Sequence, residues 1–316
     1  MQKCAFVVTR QQIDGYLKLM RPMEWSKSAG NMIIAGVIAA FAYPGIASFL
    51  SLEFAMGLIS VILLWSGLYA LNDVMDWQED AQHAVKKKRP IPAGIVSPNA
   101  ALTFSYLLLF FSLGLALLLH NSLFFLCLLA MFINQIMYTS EPFSFKKRPF
   151  LDIISGSVIN PIFRFYSGWI LLVGSFNAPL LALVFVVGLQ VGGYGLYRLM
   201  SIEHEKKLGY AGSMTRFNER VLKWFFYFAI LAGGLAYFAM CLSPILFEGK
   251  ILPSLPGSGS LPPKYSVLGI ASILLFPFYL PFLRKPEKAA MEKAYKLLYF
   301  HYLFFIGGFL LLYFLF

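Results

Sequence analysis

The chain reads as a succession of long apolar stretches broken by short polar loops. A membrane-spanning helix needs about 20 consecutive apolar residues. Nine stretches approach that length, at about 29–50, 54–72, 99–119, 122–138, 152–173, 178–198, 223–245, 265–283 and 297–316. Gly and Pro fall inside several of them, which membrane helices tolerate. The pattern predicts an all-α, polytopic bundle of about nine transmembrane helices. Ahead of the first span, Ile13 to Met23 alternates as an amphipathic helix suited to a membrane surface. Residues 1–27 carry Asp14, Glu24 and scattered bases, so they do not read as a signal peptide. The expected organisation is a cytoplasmic amphipathic segment at 1–27 and a single transmembrane bundle at 28–316. The Pro/Gly/Ser-rich stretch 246–264 joins two spans of that bundle.

Composition supports lipid as the solvent. The chain is 59% hydrophobic and 13% charged, with mean hydropathy +0.70, whereas soluble proteins carry about 25% charged residues. The net charge of +11 would suggest nucleic acid in a soluble protein. Here the bases sort by loop instead. Lys3, Arg10, Lys18, Arg21 and Lys27 precede the first span. Lys86, Lys87, Lys88 and Arg89 follow the second, and Lys146, Lys147 and Arg148 the fourth. Lys206, Lys207, Arg216 and Arg220 follow the sixth, and Arg284, Lys285, Lys288, Lys293 and Lys296 the eighth. The opposite side has only Lys250 and Lys264. The positive-inside rule then puts the N-terminus and these loops in the cytoplasm and the C-terminus across the membrane, with no nucleic-acid partner. Cys4, Cys127 and Cys241 show neither metal spacing nor a disulfide framework.

Chemistry concentrates at the end of the second span, in Asn72-Asp73-Val74-Met75-Asp76-Trp77-Gln78-Glu79-Asp80. If the helix continues to about residue 80, Asp73, Asp76 and Asp80 share one face. Four of the chain's 15 acidic residues fall within these eight positions from Asp73 to Asp80, which sets the segment apart from an ordinary solvated helix end. Close carboxylates suit a hard cation such as Mg²⁺, which also takes phosphate oxygens. The basic run that follows would neutralise a diphosphate. Lys86 and Arg89 are the expected contacts, while Lys87 and Lys88 read as ordinary positive-inside charges. Four spans later, helix six ends in Arg198, followed by Glu203, Glu205, Lys206 and Lys207, a weak echo of the first cluster.

These residues resemble the UbiA superfamily of intramembrane prenyltransferases. Asn72-Asp73-x-x-Asp76-x-x-x-Asp80, followed by Arg89-Pro-Ile-Pro-x-Gly94, is similar to its first signature. Tyr138-Thr-Ser-Glu-Pro-Phe-Ser-Phe-Lys146-Lys-Arg148 is similar to its Tyr-Ser-x-Pro-Pro-x-x-Leu-Lys-x-Arg segment. Ser201 to Gly209 resembles its second acidic signature. The resemblance covers about residues 18 to 310. It implies two four-helix pseudo-repeats plus one helix, around a cavity open to lipid. It further implies a Mg²⁺-dependent transfer of an isoprenoid chain from a polyprenyl diphosphate to a lipophilic acceptor, expected to be aromatic. In that reading Asp73, Asp76, Asp80 and Glu205 hold metal and Asn72 orients the cluster. Lys86, Arg89, Lys146 and Arg198 bind diphosphate, with Glu203 beside the substrate. Tyr138 offers its face to a developing carbocation, as do Tyr194 and Tyr197 if they do not simply pack. The second signature departs from the family, because its early aspartate is replaced by Arg198 or Ser201.

A branch of the superfamily transfers phosphoribose to polyprenyl phosphate. Arg21-Pro22-Met23-Glu24-Trp25-Ser26-Lys27 resembles its opening, and Asp80-x-x-His83-x-x-Lys86-x-x-Arg89 and Arg164-Phe-Tyr-Ser-Gly168 also resemble it. That resemblance implies phosphoribosyl diphosphate as donor, and gives Lys27 and the intramembrane Arg164 a substrate-binding role. A transporter or degenerate scaffold is a third reading. It predicts that residues 73–80 and 198–205 lie apart.

Overall fold

The computed structural model describes residues 9–43, 45–46, 50–83, 86–200, 202–207, 209–246, 260–279, 281 and 290–315. Among them there is helix and no strand. The order is α1 (Arg10–Met20), α2 (Trp25–Ala42), α3 (Leu52–Ala81), α4 (Pro98–Leu118), α5 (Ser122–Thr139), α6 (Leu151–Ile153), α7 (Asn160–Val173), α8 (Leu180–Leu199), α9 (Ile202–Lys207), α10 (Ser213–Arg216), α11 (Glu219–Leu246), α12 (Ser266–Leu275) and α13 (Ala290–Leu315). Each predicted span meets helix. Six of these helices are long and apolar enough to cross a membrane by length and composition: α3, α4, α5, α8, α11 and α13. The chain is a multi-pass membrane protein. Large apolar side chains such as Phe110, Leu118, Trp224 and Phe228 face outward, a surface that only lipid solvates well.

Local chemistry sets the boundaries. Thr9 caps α1 in a reciprocal capping box with Gln12. Ser51, Ser97 and Asn121 each accept the free backbone N–H of the third residue of α3, α4 and α5. Pro161 lacks an N–H and cannot extend a regular ladder, and the chain before it, Ile154–Ile159, is π-helical. Asn134 of α5 donates to the Ser155 carbonyl (3.0 Å) and to Asn160 Oδ1 (2.8 Å), which meets polar groups this irregular turn leaves over.

Apolar cores exist outside and inside the bundle alike, so small residues and hydroxyls dominate the closest contacts. The two most intimate pairs are α3 with α4 and α8 with α11, four spans apart, which matches the expected repeat. In the first pair Ser60 donates to the Ser112 carbonyl (2.8 Å) and Ser112 to the Ser60 carbonyl (2.7 Å), while Ser105 donates to the Gly67 carbonyl (2.8 Å). In the second pair Gly188 and Gly192 sit directly on the α11 backbone. Gly168 of α7 likewise abuts the backbone of Met32 in α2.

Candidate functional site

The 30-residue α3 outlasts its apolar stretch and ends in the acidic motif. Asp73, Asp76 and Asp80 are 2%, 9% and 3% exposed, while Met75 and Gln78 between them face out. Three carboxylates are therefore buried on one helix face, and each is met by bases from elsewhere in the chain. Arg89 Nη1 lies 2.9 Å from Asp73 Oδ1 and 2.6 Å from Asp80 Oδ2, and Lys86 Nζ is 3.4 Å from Asp80 Oδ1. Lys146 pairs with Asp76, and Arg21 with Asp73. Lys87 and Lys88 are exposed. Asn72 Oδ1 accepts from Thr139 (2.7 Å), which fixes its amide at the rim.

The local chain explains these positions. Arg21 closes α1 in the left-handed conformation (φ 50°), and its guanidinium lies 4.9 Å from the Tyr69 ring centre. Burial opposes its charge, but Asp73 and Glu24 outweigh this and hold it firmly protonated. The Pro90–Val96 turn folds back on the Pro90 carbonyl, with Gly94 at φ 72° where a side chain would be strained. Lys146 lies in the short 3₁₀ turn Phe145–Lys147 and is itself 8% exposed.

The second motif is built differently. Arg198 Nη1 lies 3.0 Å from Asp152 Oδ2, and its Nη2 lies 3.1 Å from Glu205 Oε2. Asp152 also accepts from the Ser213 backbone (3.0 Å) and hydroxyl (2.6 Å). Burial raises the Glu205 carboxyl, with Arg198 opposing. Glu203 is exposed. The two motifs are tied together: Tyr210 donates to Glu79 Oε2 (2.5 Å), Lys147 reaches Glu79 Oε1 (3.3 Å), and Gly212 packs on Asp152 and the Lys146 carbonyl. Tyr138 lies against Gly156 of the π-helical turn. Tyr194 and Tyr197 stack at 6.3 Å.

A third cluster lies behind the first. Lys27 falls inside α2, which begins at Trp25, and its Nζ is 2.5 Å from Glu24 Oε2. Tyr69, Tyr295 and Tyr299 all donate to Glu24. Burial works against the Glu24 charge, yet Lys27 and Arg21 prevail and bring its carboxyl down to about 2. Arg164 of α7 lies 3.6 Å over the Trp65 ring, with Nη2 3.5 Å from Tyr69 Oη.

Arg21, Glu24 and Asp152 join the site without having been singled out as site residues from sequence. The signals were present. Arg21 and Glu24 stand in the Arg-Pro-x-x-Trp-x-Lys opening, and Asp152 is a lone acid at the edge of an apolar stretch.

Among the described residues no three Asp, Glu, His or Cys side chains stand close enough together to hold an ion in this arrangement, because each carboxylate turns to a base. The donor set itself is all oxygen, buried and on one face, which is the chemistry Mg²⁺ selects. Four cations, Arg21, Lys86, Arg89 and Lys146, meet three carboxylates. A metal diphosphate brings both charges at once. The carboxylates can exchange bases for metal while the bases exchange carboxylates for phosphate oxygens.

Comparison with known proteins adds relatives. The profile described as the UbiA prenyltransferase family matches residues 31–313. A decaprenyl-phosphate phosphoribosyltransferase of Corynebacterium glutamicum is 28% identical over 181 residues, covering 54% of this chain and 52% of that protein. A digeranylgeranylglyceryl phosphate synthase of Natronomonas pharaonis is 35% identical over 112 residues, covering 34% of this chain and 36% of that protein. The aligned part thus spans about half or less of these curated relatives. A UbiA homolog from Archaeoglobus fulgidus, solved bound to GPP and Mg²⁺, superposes with a TM-score of 0.65 at 21% identity, covering 93% of this chain and 99% of that one, a likeness of fold.

Proposed function

Because the chain belongs to the UbiA prenyltransferase family, we propose that it is a Mg²⁺-dependent intramembrane transferase with a diphosphate leaving group. In this reading it moves an isoprenoid chain from a polyprenyl diphosphate to a lipophilic acceptor. One observation carries it: three buried carboxylates and four bases meet at one end of an apolar bundle. That is a place to ionise a lipid diphosphate and nothing a packing role requires. Asp73, Asp76 and Asp80 would hold the metal, with Glu205 across the site. Mg²⁺ supplies neutralisation of the departing diphosphate. Arg21, Lys86, Arg89 and Lys146 bind its oxygens and stabilise the charge that develops as the C–O bond breaks. Asn72, held by Thr139, orients the first carboxylate. Arg198 sits between Asp152 and Glu205 and closes the opposite wall. The basic loops support a cytoplasmic position for this end and for the amphipathic α1, with residues 28–316 acting as one catalytic bundle.

Phosphoribosyl transfer to polyprenyl phosphate is the second reading. Lys27 and Arg164, buried inside the bundle, favour it, as does the likeness to the corynebacterial phosphoribosyltransferase. The hydrogen bond from Tyr210, five residues past Glu205, to Glu79 favours proximity of the two motifs, which the transporter reading sets apart.

Diphosphate release by the purified protein with Mg²⁺ tests the choice. Polyprenyl diphosphate with aromatic acceptors is one arm. Phosphoribosyl diphosphate with polyprenyl phosphate is the other. Release in the first arm, abolished by Asp73→Ala, is expected. Release only in the second transfers the assignment to the sugar donor. Release in neither, with Asp73→Ala identical to wild type, refutes the enzyme.

A further inference from the structure

One acid of the α3 motif takes a partner of another kind. Asp73, Asp76 and Asp80 are buried among bases, whereas the Glu79 side chain is 34% exposed and stands at the edge of their face. Tyr210 donates to its Oε2 (2.5 Å), and Lys147 Nζ lies 3.3 Å from its Oε1. The same ammonium is 5.2 Å from the centre of the Tyr210 ring. A phenol bonded to a carboxylate is charge-assisted, and such a bond favours the closed contact by about tenfold to a hundredfold.

Tyr210 belongs to a segment, 209–216, that is fastened at its other end. Met214 is fully buried in an apolar cluster with Leu199, Leu222 and Phe226. Ser213 is fully buried too. Its N–H and hydroxyl donate to Asp152 (3.0 and 2.6 Å), and its Oγ accepts from the Phe150 N–H (2.8 Å). Gly212 comes so close that a Cβ would stand 3.0 Å from Asp152 Oδ2 and 3.2 Å from the Lys146 carbonyl oxygen. Thr215 donates to the Tyr210 carbonyl (2.7 Å), which ties the tyrosine to the fixed end. The segment thus runs from the Arg198–Asp152 pair, past the turn that carries Lys146, to the acidic end of α3.

This crossing bears on the chemistry of a diphosphate donor. If water reaches the donor as its C–O bond breaks, the water oxygen bonds to the carbon, a proton is released and diphosphate leaves with no acceptor joined. A site that excludes water prevents this side reaction.

We propose that segment 209–216 is a strap across the carboxylate–base cluster, latched by Tyr210 on Glu79, and that these two are positioning residues which hold Lys146 in place and keep water from the donor. The water-excluding role rests on the transferase reading; the latch does not.

Hydrogen–deuterium exchange of the purified full chain in detergent, without donor, reads the latch. Tyr210→Phe keeps the ring beside Lys147 and removes only the hydroxyl. It is expected to speed exchange at the amides of 209–212 by about tenfold, that of Tyr210 on the Glu205 carbonyl (3.0 Å) among them. The Ser213 amide, fixed on Asp152, is expected to stay within about twofold of wild type. Glu79→Gln is expected to act in the same direction, and the double variant to exchange no faster than Tyr210→Phe alone, because both changes act through one bond.

Hydrolysis reads the consequence. Geranyl diphosphate or phosphoribosyl diphosphate is supplied with Mg²⁺ and no acceptor, and geraniol or ribose 5-phosphate is measured together with diphosphate. For the donor that the protein uses, kcat of hydrolysis is expected to rise about tenfold in Tyr210→Phe while KM changes less than about threefold. A purely structural defect lowers kcat instead. Should Tyr210→Phe fail to fold, Glu79→Gln carries both comparisons. Wild-type exchange in Tyr210→Phe, or additive effects in the double variant, overturns the latch. Faster exchange with unchanged hydrolysis overturns the water-excluding role. Faster exchange in a protein that releases diphosphate from neither donor, even with acceptors present, leaves the latch standing and refutes the transferase reading.

Discussion

Lys146→Met is the most informative single change at the carboxylate end. Its ammonium pairs with Asp76, and the two side chains are only 9% and 12% exposed. Removing one partner of a buried pair leaves a charge without compensation, at a cost of about 3–5 kcal/mol. The melting temperature in detergent should fall by roughly 6–20 °C, at about 2–4 °C per kcal/mol for domains of 150–250 residues. Asp76→Asn should cost a similar amount. The double variant should cost clearly less than the two together, because it removes both charges. The exchange of partners makes a second demand. Lys146 competes with metal for Asp76 when no donor is present. Without it, Mg²⁺ should bind more tightly, by about tenfold if the competing pair contributes near 1.4 kcal/mol. Donor affinity should move the other way, by about a hundredfold, since a phosphate contact is gone. Calorimetric titration of Mg²⁺ and of a non-hydrolysable prenyl diphosphate reads both. Additive stabilities, or Mg²⁺ affinity that falls in Lys146→Met, would refute the partner exchange.

Two further changes probe the scaffold. Gly168→Ala places a Cβ 2.5 Å from the Met32 carbonyl oxygen, so α2 and α7 must part; a loss of about 1–3 kcal/mol is expected as a lower melting temperature, and an unchanged one would show that the helices do not touch there. Glu24 has its carboxyl lowered to about 2, below the ordinary glutamate value near 4.3. A depressed acid stabilises the fold above its unfolded value and loses that contribution as pH falls through the folded one. Wild type should therefore lose on the order of 2–3 kcal/mol more than Glu24→Gln between about pH 5 and pH 2. Parallel melting curves for the two proteins across that range would contradict it.

Much of this architecture is legible from residue order, and the reason is local. The spans follow from runs of apolar residues, and Asp73, Asp76 and Asp80 share a face because they lie on one continuous helix. Lys86 and Arg89 return to that helix within nine residues of Asp80, with a buried His83 in the bend. What residue order conceals is pairing across the bundle. Arg21 meets Asp73 across 52 positions, and Glu24 collects Tyr299 across 275. Arg198 finds Asp152 because α8 packs beside the π-helical turn, whose course depends on Pro161 and on Asn134 from another helix. Short-range spacing carries no trace of such meetings.

The reciprocal serine bonds between α3 and α4 also act as a depth gauge. Sliding α3 along its axis by a single residue breaks the Ser60, Ser105 and Ser112 bonds together, with no lipid group able to replace them. The acidic end of α3 begins six residues beyond Gly67, so its carboxylates are pinned at one level of the bilayer. A donor whose head docks there meets a fixed starting line. Differences in tail length must then be absorbed at the far end of the bundle, and the helices that line that end, rather than α3, set which chain lengths fit.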